Sequence, residues 1–354
     1  MTSQPASRHT SPQRPLANDA GRPHHTHFSP NRVLITGGCG FIGSNFVRHL
    51  LETDADAEVV NLDALTYCGN PENLADVERS HPDRYRFIRG DIRDPKAVAA
   101  AMTGCDSVVH FAAESHVDRS IARADDFVTT NVLGTFVLVE EAKRLGIGRF
   151  LHVSTDEVYG SIIDGSFSES DPLSPSSPYS ASKAAGDLLA LSYHTTHGLN
   201  VLVTRSTNNF GPYQYPEKLI PLFVTNLVEG KRVPLYGDGG NIRDWLYVLD
   251  NCRALDTVFR WGEPGQIYNV GADNEIDNRT ITDAILELSG AGDEMVEYVT
   301  DRLGHDRRYS VTTDKVRTLG WRPERDFREA LAETVRWYQE NPGWWKRLKA
   351  GALN

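Results

Sequence analysis

The chain has 354 residues, 40% of them hydrophobic, and a formal net charge of −11 at pH 7. This length and composition are enough to bury a large core, in one large α/β unit or in about two domains. The negative charge argues against nucleic acid or an anionic membrane as the main partner, and no apolar run reaches the ~18 residues of a membrane span.

The cysteines and the N-terminal segment indicate the compartment. The four cysteines are far apart and form no Cys-x-x-Cys pair, so we interpret them as buried or idle thiols of a reducing, cytoplasmic compartment. Residues 1–30 are rich in Pro, Ser, His and Thr and lack an apolar period, which predicts a disordered extension. This extension has no apolar segment of the signal-peptide type, and we expect its histidines to be solvated rather than bound to a metal.

The first predicted strand leads into a glycine-rich turn. An apolar run at 33–36 is followed by glycines at 37, 40 and 43 and then by a helical pattern through Leu51. Glycines at this spacing allow a tight turn, a close approach to a pyrophosphate and close packing of helix on strand, with the phosphates at the helix N-terminus. The pattern therefore predicts a dinucleotide site at this turn.

The second predicted strand ends in an acidic residue. The run at 58–62 precedes Asp63, which lies 20 residues after Gly43. A carboxylate at this position accepts hydrogen bonds from the ribose hydroxyls of adenosine and repels a 2′-phosphate, which selects NAD over NADP. Capping of an ordinary turn is the alternative, but the glycines, the strand and the spacing together favour NAD.

Further strands alternate with helices. Helical segments such as Pro95–Met102 and 125–144 are interspersed with apolar runs at 86–88, 107–111, 150–153 and 201–203. This alternation indicates βαβ units, and hence a parallel sheet that is covered by helices on both faces.

Residues at two strand ends suit the cofactor. Asp91 and Ile92 follow one strand and suit an adenine ring, and the small Ala112 and Ala113 follow the next and allow a dinucleotide to lie flat against the sheet. Each of these residues, taken alone, fits plain structure equally well. Asn131, a polar residue among apolar neighbours, is interpreted first as locally paired inside the domain and second as a group that orders water or a catalytic lysine.

A Tyr-x-x-x-Lys pattern supplies a candidate base. Tyr179 and Lys183 lie four residues apart in a helical pattern, which places phenol and ammonium on one helix face. The ammonium stabilises a phenolate and is expected to lower the phenol pKa from ~10 toward neutrality. Such a base, near Thr155 and a nicotinamide, removes a sugar hydroxyl proton while hydride leaves the same carbon.

Two adjacent carboxylates end the strand at 150–153. A ketone at one carbon acidifies the proton on the next carbon, so that one carboxylate acts as its base and a carboxylic acid protonates a departing hydroxyl one carbon further on. Asp156 and Glu157 suit this division of labour, but they also suit capping of the turn at 158–160. Because side chains alternate along a strand, both acids reach one ligand only if the backbone is irregular after Thr155.

Eight motifs identify a family resemblance. They are TGGCGFIGS (36–44), NLDALTYCGN (61–70), FAAESHVDRSI (111–121), VSTDEVYG (153–160), PYSASKA (178–184), NNFGPYQYPEKLIP (208–221), YGDGGNIRDWLYV (236–248) and DRLGHDRRY (301–309). From about residue 31 to about residue 340 the chain resembles the extended short-chain dehydrogenase/reductase family, and within it the NDP-glucose 4,6-dehydratases, above all those that act on dTDP-glucose. The Thr-Asp-Glu run is typical of these dehydratases, and related epimerases and decarboxylases lack it.

The resemblance implies a reaction and a role for each acid and base. Tyr179, assisted by Lys183 and Thr155, is expected to deprotonate the glucose 4-hydroxyl while NAD takes hydride from C4. Glu157 then removes the C5 proton, and Asp156 protonates the leaving C6 hydroxyl. Hydride returns to C6 and a proton from Asp156 or through water completes C5, so the product is an NDP-4-keto-6-deoxyglucose and the cycle is redox-neutral.

The resemblance also implies the ligand contacts. Those to NAD are expected at Gly37, Gly40, Phe41, Ile42, Gly43, Asp63, Leu65, Thr66, Asp91, Ile92, Ala112, Ala113, Thr130, Tyr179, Lys183 and Asn209. Those to the nucleotide sugar are expected at Ser115, His116, Thr155, Asn208, Lys218, Leu219, Pro234, Tyr236, Arg243, Asn278, Arg302 and His305. The residue types agree, because a diphosphate needs Arg and Lys donors and a base stacks on an aromatic ring.

The architecture follows from the same resemblance. It implies an α/β fold with a Rossmann-type doubly wound parallel sheet and a smaller C-terminal substrate-binding domain. Residues 31–205 are expected to form most of the NAD-binding domain, to which segments such as 248–272 return, and residues 206–354 most of the nucleotide-sugar domain. We expect a homodimer through a four-helix bundle of the helices at 125–144 and 179–197.

Three departures from the family pattern leave the nucleotide base open. Phe210 and Leu303 replace the usual Tyr and Pro, and the loop at 273–279 differs around Asn278. UDP-glucose or another NDP-glucose is therefore an alternative substrate. An NDP-sugar 4-epimerase, which has no use for the acid pair, and a non-catalytic dinucleotide-binding scaffold, which has no use for Tyr179 and Lys183, are less favoured.

Overall fold

The computed structural model describes residues 27–301 and 304–351. Within them the strands are β1 (Arg32–Thr36), β2 (Glu58–Asp63), β3 (Tyr85–Arg89), β4 (Ser107–His110), β5 (Arg149–Thr155), β6 (Val201–Ser206), β7 (Asn208–Phe210), β8 (Val233–Tyr236), β9 (Ile242–Tyr247), β10 (Ile267–Val270), β11 (Glu275–Asp277) and β12 (Val296–Val299). Most of the predicted extension, residues 1–26, lies outside the described residues. No described helix is long and apolar enough to cross a membrane.

The α-helices in the same part of the chain are α1 (Phe41–Thr53), α2 (Ala75–Ser80), α3 (Pro95–Met102), α4 (Val117–Ala122), α5 (Asp125–Phe127), α6 (Thr135–Leu145), α7 (Pro178–His197), α8 (Leu219–Val228), α9 (Val248–Trp261), α10 (Asn278–Ser289), α11 (Asp314–Thr318), α12 (Phe327–Glu340) and α13 (Pro342–Gly351). Short 3₁₀ turns occur at Pro71–Leu74, Asp156–Tyr159 and Asp293–Met295, and a π-helical segment occurs at Val128–Gly134.

A seven-stranded parallel sheet organises the molecule. Its order is β10-β6-β5-β4-β1-β2-β3, and every adjacent pair is parallel. One core packs α1 and α9 on one face, and a second core packs α3, α6 and α7 on the other. The predicted doubly wound sheet is therefore confirmed. The order reverses on the two sides of β1, and the crevice at the carboxyl ends of β1 and β4 is where such sheets bind ligands.

Two small sheets and the last helices form a separate apolar core. The small sheets have the orders β11-β9-β7 and β12-β8, and α8, α10 and α12 pack with them. Phe210 is buried in this core against Trp245 and Phe327. The side chain of Phe210 thus belongs to this core and lies on the wall of neither cavity described below.

The helix predicted at 125–144 is interrupted. Residues Val128–Gly134 form a π turn between α5 and α6, in which the wider backbone ring accommodates one extra residue. Within this turn Asn131 accepts a hydrogen bond from the Glu114 amide at 2.9 Å and donates to the Ser182 hydroxyl at 2.8 Å. Local pairing of Asn131, the first of its two interpretations, is confirmed, and these contacts tie the loop after β4 to α7.

The C-terminal tryptophans pack against the core of the small sheets. Trp345 is fully buried and donates to the Tyr338 carbonyl at 2.7 Å. Trp344 donates to the Asn73 side chain at 2.8 Å, and Asn73 in turn donates to the Cys39 carbonyl at 3.0 Å. The last helix thus reaches back, through one asparagine, to the glycine-rich turn.

Truncation of Trp345 should destabilise the protein strongly. We expect Trp345→Ala to lower the free energy of unfolding by about 3–5 kcal/mol, since it removes a fully buried indole and leaves a cavity. Urea titrations followed by circular dichroism measure this loss. Ile163→Ala, at a side chain that is 84% exposed, is the matched control and should change little; equal losses in the two variants would contradict the packing role.

Candidate active site

The glycine-rich turn forms a tight cradle at the start of α1. Gly37 has φ 73°, and a Cβ there would lie 2.6 Å from the Ala112 amide nitrogen, while a Cβ on Gly43 would lie 2.3 Å from the Gly37 carbonyl oxygen. The helix begins after Gly40 with no side-chain cap and no acidic residue in its first turn. Its first amides therefore keep their hydrogen-bonding capacity, and the positive end of the helix dipole favours an anion.

This cradle lines a cavity of about 230 Å³. The expected NAD contacts are all on its wall except Leu65 and Asn209. Leu65 instead packs on the core beside the sheet, and Asn209 lines the neighbouring cavity. Asp63 serves both of the interpretations given to it: its carboxylate accepts from the Cys39 amide at 2.9 Å and the Leu65 amide at 2.8 Å, and it also lines the cavity.

A second cavity of about 210 Å³ adjoins the first. Gln214, Glu217 and Lys218 lie on the walls of both. Most expected nucleotide-sugar contacts line the second cavity, namely His116, Asn208, Lys218, Leu219, Pro234, Tyr236, Arg243, Asn278 and His305. Ser115 lies on the wall of the first, whereas Thr155 lies on neither wall and is 9% exposed. Arg302 and Leu303 lie outside the described residues.

Backbone carbonyls orient the cations of the second cavity. Arg243 donates to the carbonyls of Ile242 at 2.7 Å and Asp306 at 3.0 Å, and its guanidinium lies 4.2 Å from the centre of the Tyr309 ring. Lys218 donates to the Ser115 carbonyl at 3.0 Å. These contacts hold both cations on the cavity wall, and both residue types suit a diphosphate.

The acid pair leaves β5 on an irregular backbone, as the sequence requires for a shared site. The 3₁₀ turn Asp156–Tyr159 follows Thr155 directly, and the Thr155 hydroxyl accepts from the Glu157 amide and donates to the Asp156 carboxyl, each at 3.3 Å. Asp156 is buried, whereas Glu157 lines the second cavity. The two carboxyls thus have different environments, which suits one acid and one base.

Burial sets the protonation of Asp156. Loss of solvent, followed by the charge of Glu157, raises the pKa of Asp156 to about 8, and Arg243 opposes the shift. One of its carboxyl oxygens, Oδ2, is buried without a hydrogen-bond partner. This shift favours the protonated form of Asp156, which is the form that a general acid needs.

Tyr179 and Lys183 reach the first cavity from the start of α7. A capping box from Ser177 and Ser180 and a proline in the first turn begin this helix. The Lys183 ammonium donates to the Val153 carbonyl at 2.7 Å. Burial lowers the pKa of Lys183 to about 8, and the carboxylate of Asp187 opposes this.

The expectation that Lys183 brings the phenol pKa toward neutrality is wrong for this structure. Burial, and then the charge of Glu157, raise the pKa of Tyr179, and only a hydrogen bond with Thr155 lowers it. The physical reason is that the phenol is desolvated and faces carboxylates. The ammonium of Lys183 is engaged by a strand carbonyl instead.

Glu217 is the main wall residue that sequence reasoning missed. It lies between the cavities, 3.4 Å from both His116 and Arg119, and burial raises its pKa. Its position directly before Lys218, in the motif at 208–221, was the feature of the sequence that pointed to it. A lone glutamate before a lysine nevertheless gives no physical sign of facing a cleft.

Comparison with known proteins places this site in a family. The GDP-mannose 4,6 dehydratase family profile matches residues 34–334. The chain belongs to this family. It is 53% identical over 324 residues to the dTDP-glucose 4,6-dehydratase of Streptomyces niveus. The aligned region covers 90% of this chain and 96% of that protein.

Solved structures resemble the family member closely. The dTDP-glucose 4,6-dehydratase of Streptomyces venezuelae, solved with NAD bound, is 55% identical with a TM-score of 0.87 and covers 90% of this chain and 99% of its own. The UDP-glucose 4-epimerase of Thermus thermophilus, also solved with NAD, is 33% identical with a TM-score of 0.81 and covers 88% and 99%. The fold is thus shared by dehydratases and epimerases, so that site residues must distinguish them.

A methyl group in the cradle should block the dinucleotide. We expect Gly43→Ala to weaken NAD binding by at least about tenfold, because its Cβ would lie 2.3 Å from a backbone oxygen and so displace the turn. Isothermal titration of the protein with NAD measures the affinity. Gly343→Ala, at a helical position where a Cβ meets nothing within 4 Å, is the control; unchanged affinity in Gly43→Ala would contradict the assignment of the cradle.

Proposed function

We propose that the chain is an NAD-dependent dTDP-glucose 4,6-dehydratase. One observation carries the proposal: the buried carboxyl of Asp156 and the Glu157 carboxylate on the wall of one cavity lie close to a Tyr-Lys pair on the wall of the adjoining cavity. An epimerase needs only the Tyr-Lys pair. The named relatives of Streptomyces act on dTDP-glucose, and this supports the same substrate here.

The residues of the first cavity fit NAD. Its glycine cradle has no room for side chains, the N-terminus of α1 keeps free amides, and Asp63 lies on the wall as a carboxylate for ribose hydroxyls. Gly40, Phe41 and Ile42 would hold the pyrophosphate. When bound, NAD supplies the hydride acceptor for oxidation at C4 and returns the same hydride to C6.

The chain's own residues carry the protons. Tyr179 accepts the proton of the 4-hydroxyl, with Thr155 as its hydrogen-bond partner and Lys183 as the nearby cation. Glu157 removes the C5 proton, which the C4 ketone has acidified. Asp156 gives its proton to the C6 hydroxyl, which leaves as water, and the burial of Asp156 keeps that proton in place until this step.

The second cavity suits the nucleotide sugar. We assign the diphosphate to Lys218 and Arg243, the base to Tyr236, and the remaining polar contacts to Asn208, Asn278 and His305. Residues 31–205, with 248–272, are proposed as the NAD-binding domain, and 206–354 as the nucleotide-sugar domain. The cytoplasm is the proposed compartment, and the four free cysteines support it.

A mass measurement tests the proposed function. The protein loaded with NAD is incubated separately with dTDP-glucose and with UDP-glucose, and we expect the first to lose one water. Loss of water from UDP-glucose alone would reassign the base. No loss from any NDP-glucose by folded, NAD-loaded protein would overturn the dehydratase assignment, and a 4-epimer of unchanged mass would indicate an epimerase.

Asp156 should control water elimination and its pH dependence. In a single turnover, the near-ultraviolet absorbance of the reduced cofactor rises on C4 oxidation and decays after elimination. We expect Asp156→Asn to slow the decay by about 10²–10⁴-fold while the rise persists, since only the general acid is removed. Because the acid form is lost as pH rises through the pKa of about 8, the wild-type decay should slow above that pH.

Tyr179→Phe is the matched variant for this experiment. It lacks the phenolic base, so we expect no rise of the absorbance at all. A rise at the wild-type rate in Tyr179→Phe, or a normal decay in Asp156→Asn, would remove the residue concerned from its role.

A homodimer is proposed through the helices at 125–145 and α7. Val128, Leu133 and Phe136 of the first and Leu188 of the second are large apolar side chains that the single chain leaves exposed, and such side chains mark contact surfaces. Light scattering should give a dimer for the wild type and a monomer for the double variant Phe136→Glu, Leu188→Glu. A wild-type monomer at micromolar concentration would exclude this interface.

A further inference from the structure

Behind the two catalytic pairs lies a buried chain of polar contacts that the proposed mechanism does not use. Asp187 lies one helical turn after Lys183 in α7 and is fully buried. Its carboxylate accepts from Arg205 Nε at 2.9 Å, and Arg205 Nη1 donates to the Tyr159 hydroxyl at 2.7 Å. Tyr159 is the last residue of the 3₁₀ turn that begins with Asp156.

This chain joins the elements that carry the two catalytic pairs. Asp187 belongs to the helix of Tyr179 and Lys183, Tyr159 belongs to the turn of Asp156 and Glu157, and Arg205, near the end of β6, connects them. Paired strands fix the connection, because Arg205 stands opposite Ser154 in the β5–β6 ladder. We infer that Asp187, Arg205 and Tyr159 are positioning residues that hold the acid pair in register with the Tyr-Lys pair, an assignment that rests on the proposed function.

Additional contacts fix each member of the chain in orientation. The Tyr159 hydroxyl donates to the Asn269 side chain at 2.9 Å, and its ring stacks on Phe167 with centroids 5.2 Å apart and planes 14° apart. His152 of β5 lies 3.3 Å from the second oxygen of Asp187. Because the guanidinium of Arg205 is planar and is held at two of its nitrogens, its orientation is fixed as well as its position.

Stability alone is a weak explanation for this arrangement. Arg205 and Asp187 are 2% and 0% exposed, and the desolvation of two such charges offsets much of their attraction, so that a buried ion pair is often replaceable by apolar packing. An ion pair that merely fills the core needs no contact with the catalytic turn. Here the guanidinium reaches beyond its carboxylate to the last residue of that turn.

The consequence for the reaction is specific to one step. Asp156 must deliver its proton to the C6 hydroxyl while C4 of the same sugar ring stays positioned at Tyr179. Displacement of a reacting group by about 1 Å costs on the order of 10²-fold in rate. Loosening the 3₁₀ turn should therefore slow water elimination more than C4 oxidation. A purely structural role would slow both steps together or neither.

The test uses variants that keep shape and remove one contact. Tyr159→Phe keeps the stacked ring and loses the acceptor for Arg205, and Asp187→Asn keeps the volume and loses the charge. Tyr247→Phe is the control, because Tyr247 is also buried and its hydroxyl donates to Glu333 at 2.9 Å, away from both cavities. Each NAD-loaded variant is studied in single turnovers with dTDP-glucose and by hydrogen–deuterium exchange of residues 156–160.

We expect Tyr159→Phe to slow the decay of the reduced cofactor by about tenfold to a hundredfold, with its rise within a factor of about two of the wild type. Exchange at 156–160 should be faster than in the wild type and in Tyr247→Phe. Asp187→Asn should also speed this exchange; because it removes the counter-charge of Lys183 as well and so slows C4 oxidation, the exchange rate is the deciding readout for this variant. Equal slowing of both steps in Tyr159→Phe, or unchanged exchange in both variants, would overturn the inference.

If the wild type removes no water, the proposed function fails, and the exchange comparison still decides whether these residues hold the turn.

Discussion

A 2.7 Å hydrogen bond joins the Lys183 ammonium to the carbonyl of Val153, and it connects helix α7 to the carboxyl-terminal part of strand β5. The two elements of the proposed chemistry, the Tyr-Lys pair and the acid pair, share this junction. The parallel sheet makes the junction possible, because β5 and its neighbours all end at the edge where the ligand cavities open. An open sheet of this kind concentrates ligand binding at such an edge through geometry alone.

Burial at this junction has opposite effects on groups of opposite charge. The same loss of solvent that lowers the pKa of Lys183 raises the pKa values of Asp156 and Tyr179. This burial favours the acid form of Asp156 and opposes the phenolate form of Tyr179. The phenol gains its basicity only if positive charge accumulates beside it, so the protein places the base where bound ligands and Lys183 determine its strength.

Much of the fold could be predicted from local patterns. The period of the apolar runs located β1 to β6 to within a few residues, and the glycine spacing located the cradle at Gly37, Gly40 and Gly43. The requirement for an irregular backbone after Thr155 followed from side-chain alternation along a strand, and the 3₁₀ turn supplies it. These features depend on residues that are neighbours in sequence, which is why the sequence displays them.

Other features arise from contacts between distant segments and leave no local pattern. The π turn around Asn131 depends on Glu114 and Ser182, and the high pKa of Asp156 reflects its burial together with the distant charges of Arg243 and Asp244. Phe210 belongs to the same motif as Asn208 and Asn209, which line the second cavity, yet its own side chain is in the aromatic core. One short motif thus supplies residues both to a cavity and to a core.

The contact of Trp344 with Asn73 has a consequence for the order in which the molecule is assembled. Asn73 supports the Cys39 carbonyl in the glycine-rich turn, and its indole partner lies 271 residues later in the chain. During synthesis the first half of the sheet emerges long before α13 exists, and contacts of such large sequence separation form late. The cradle is therefore made well before the helix that completes its support.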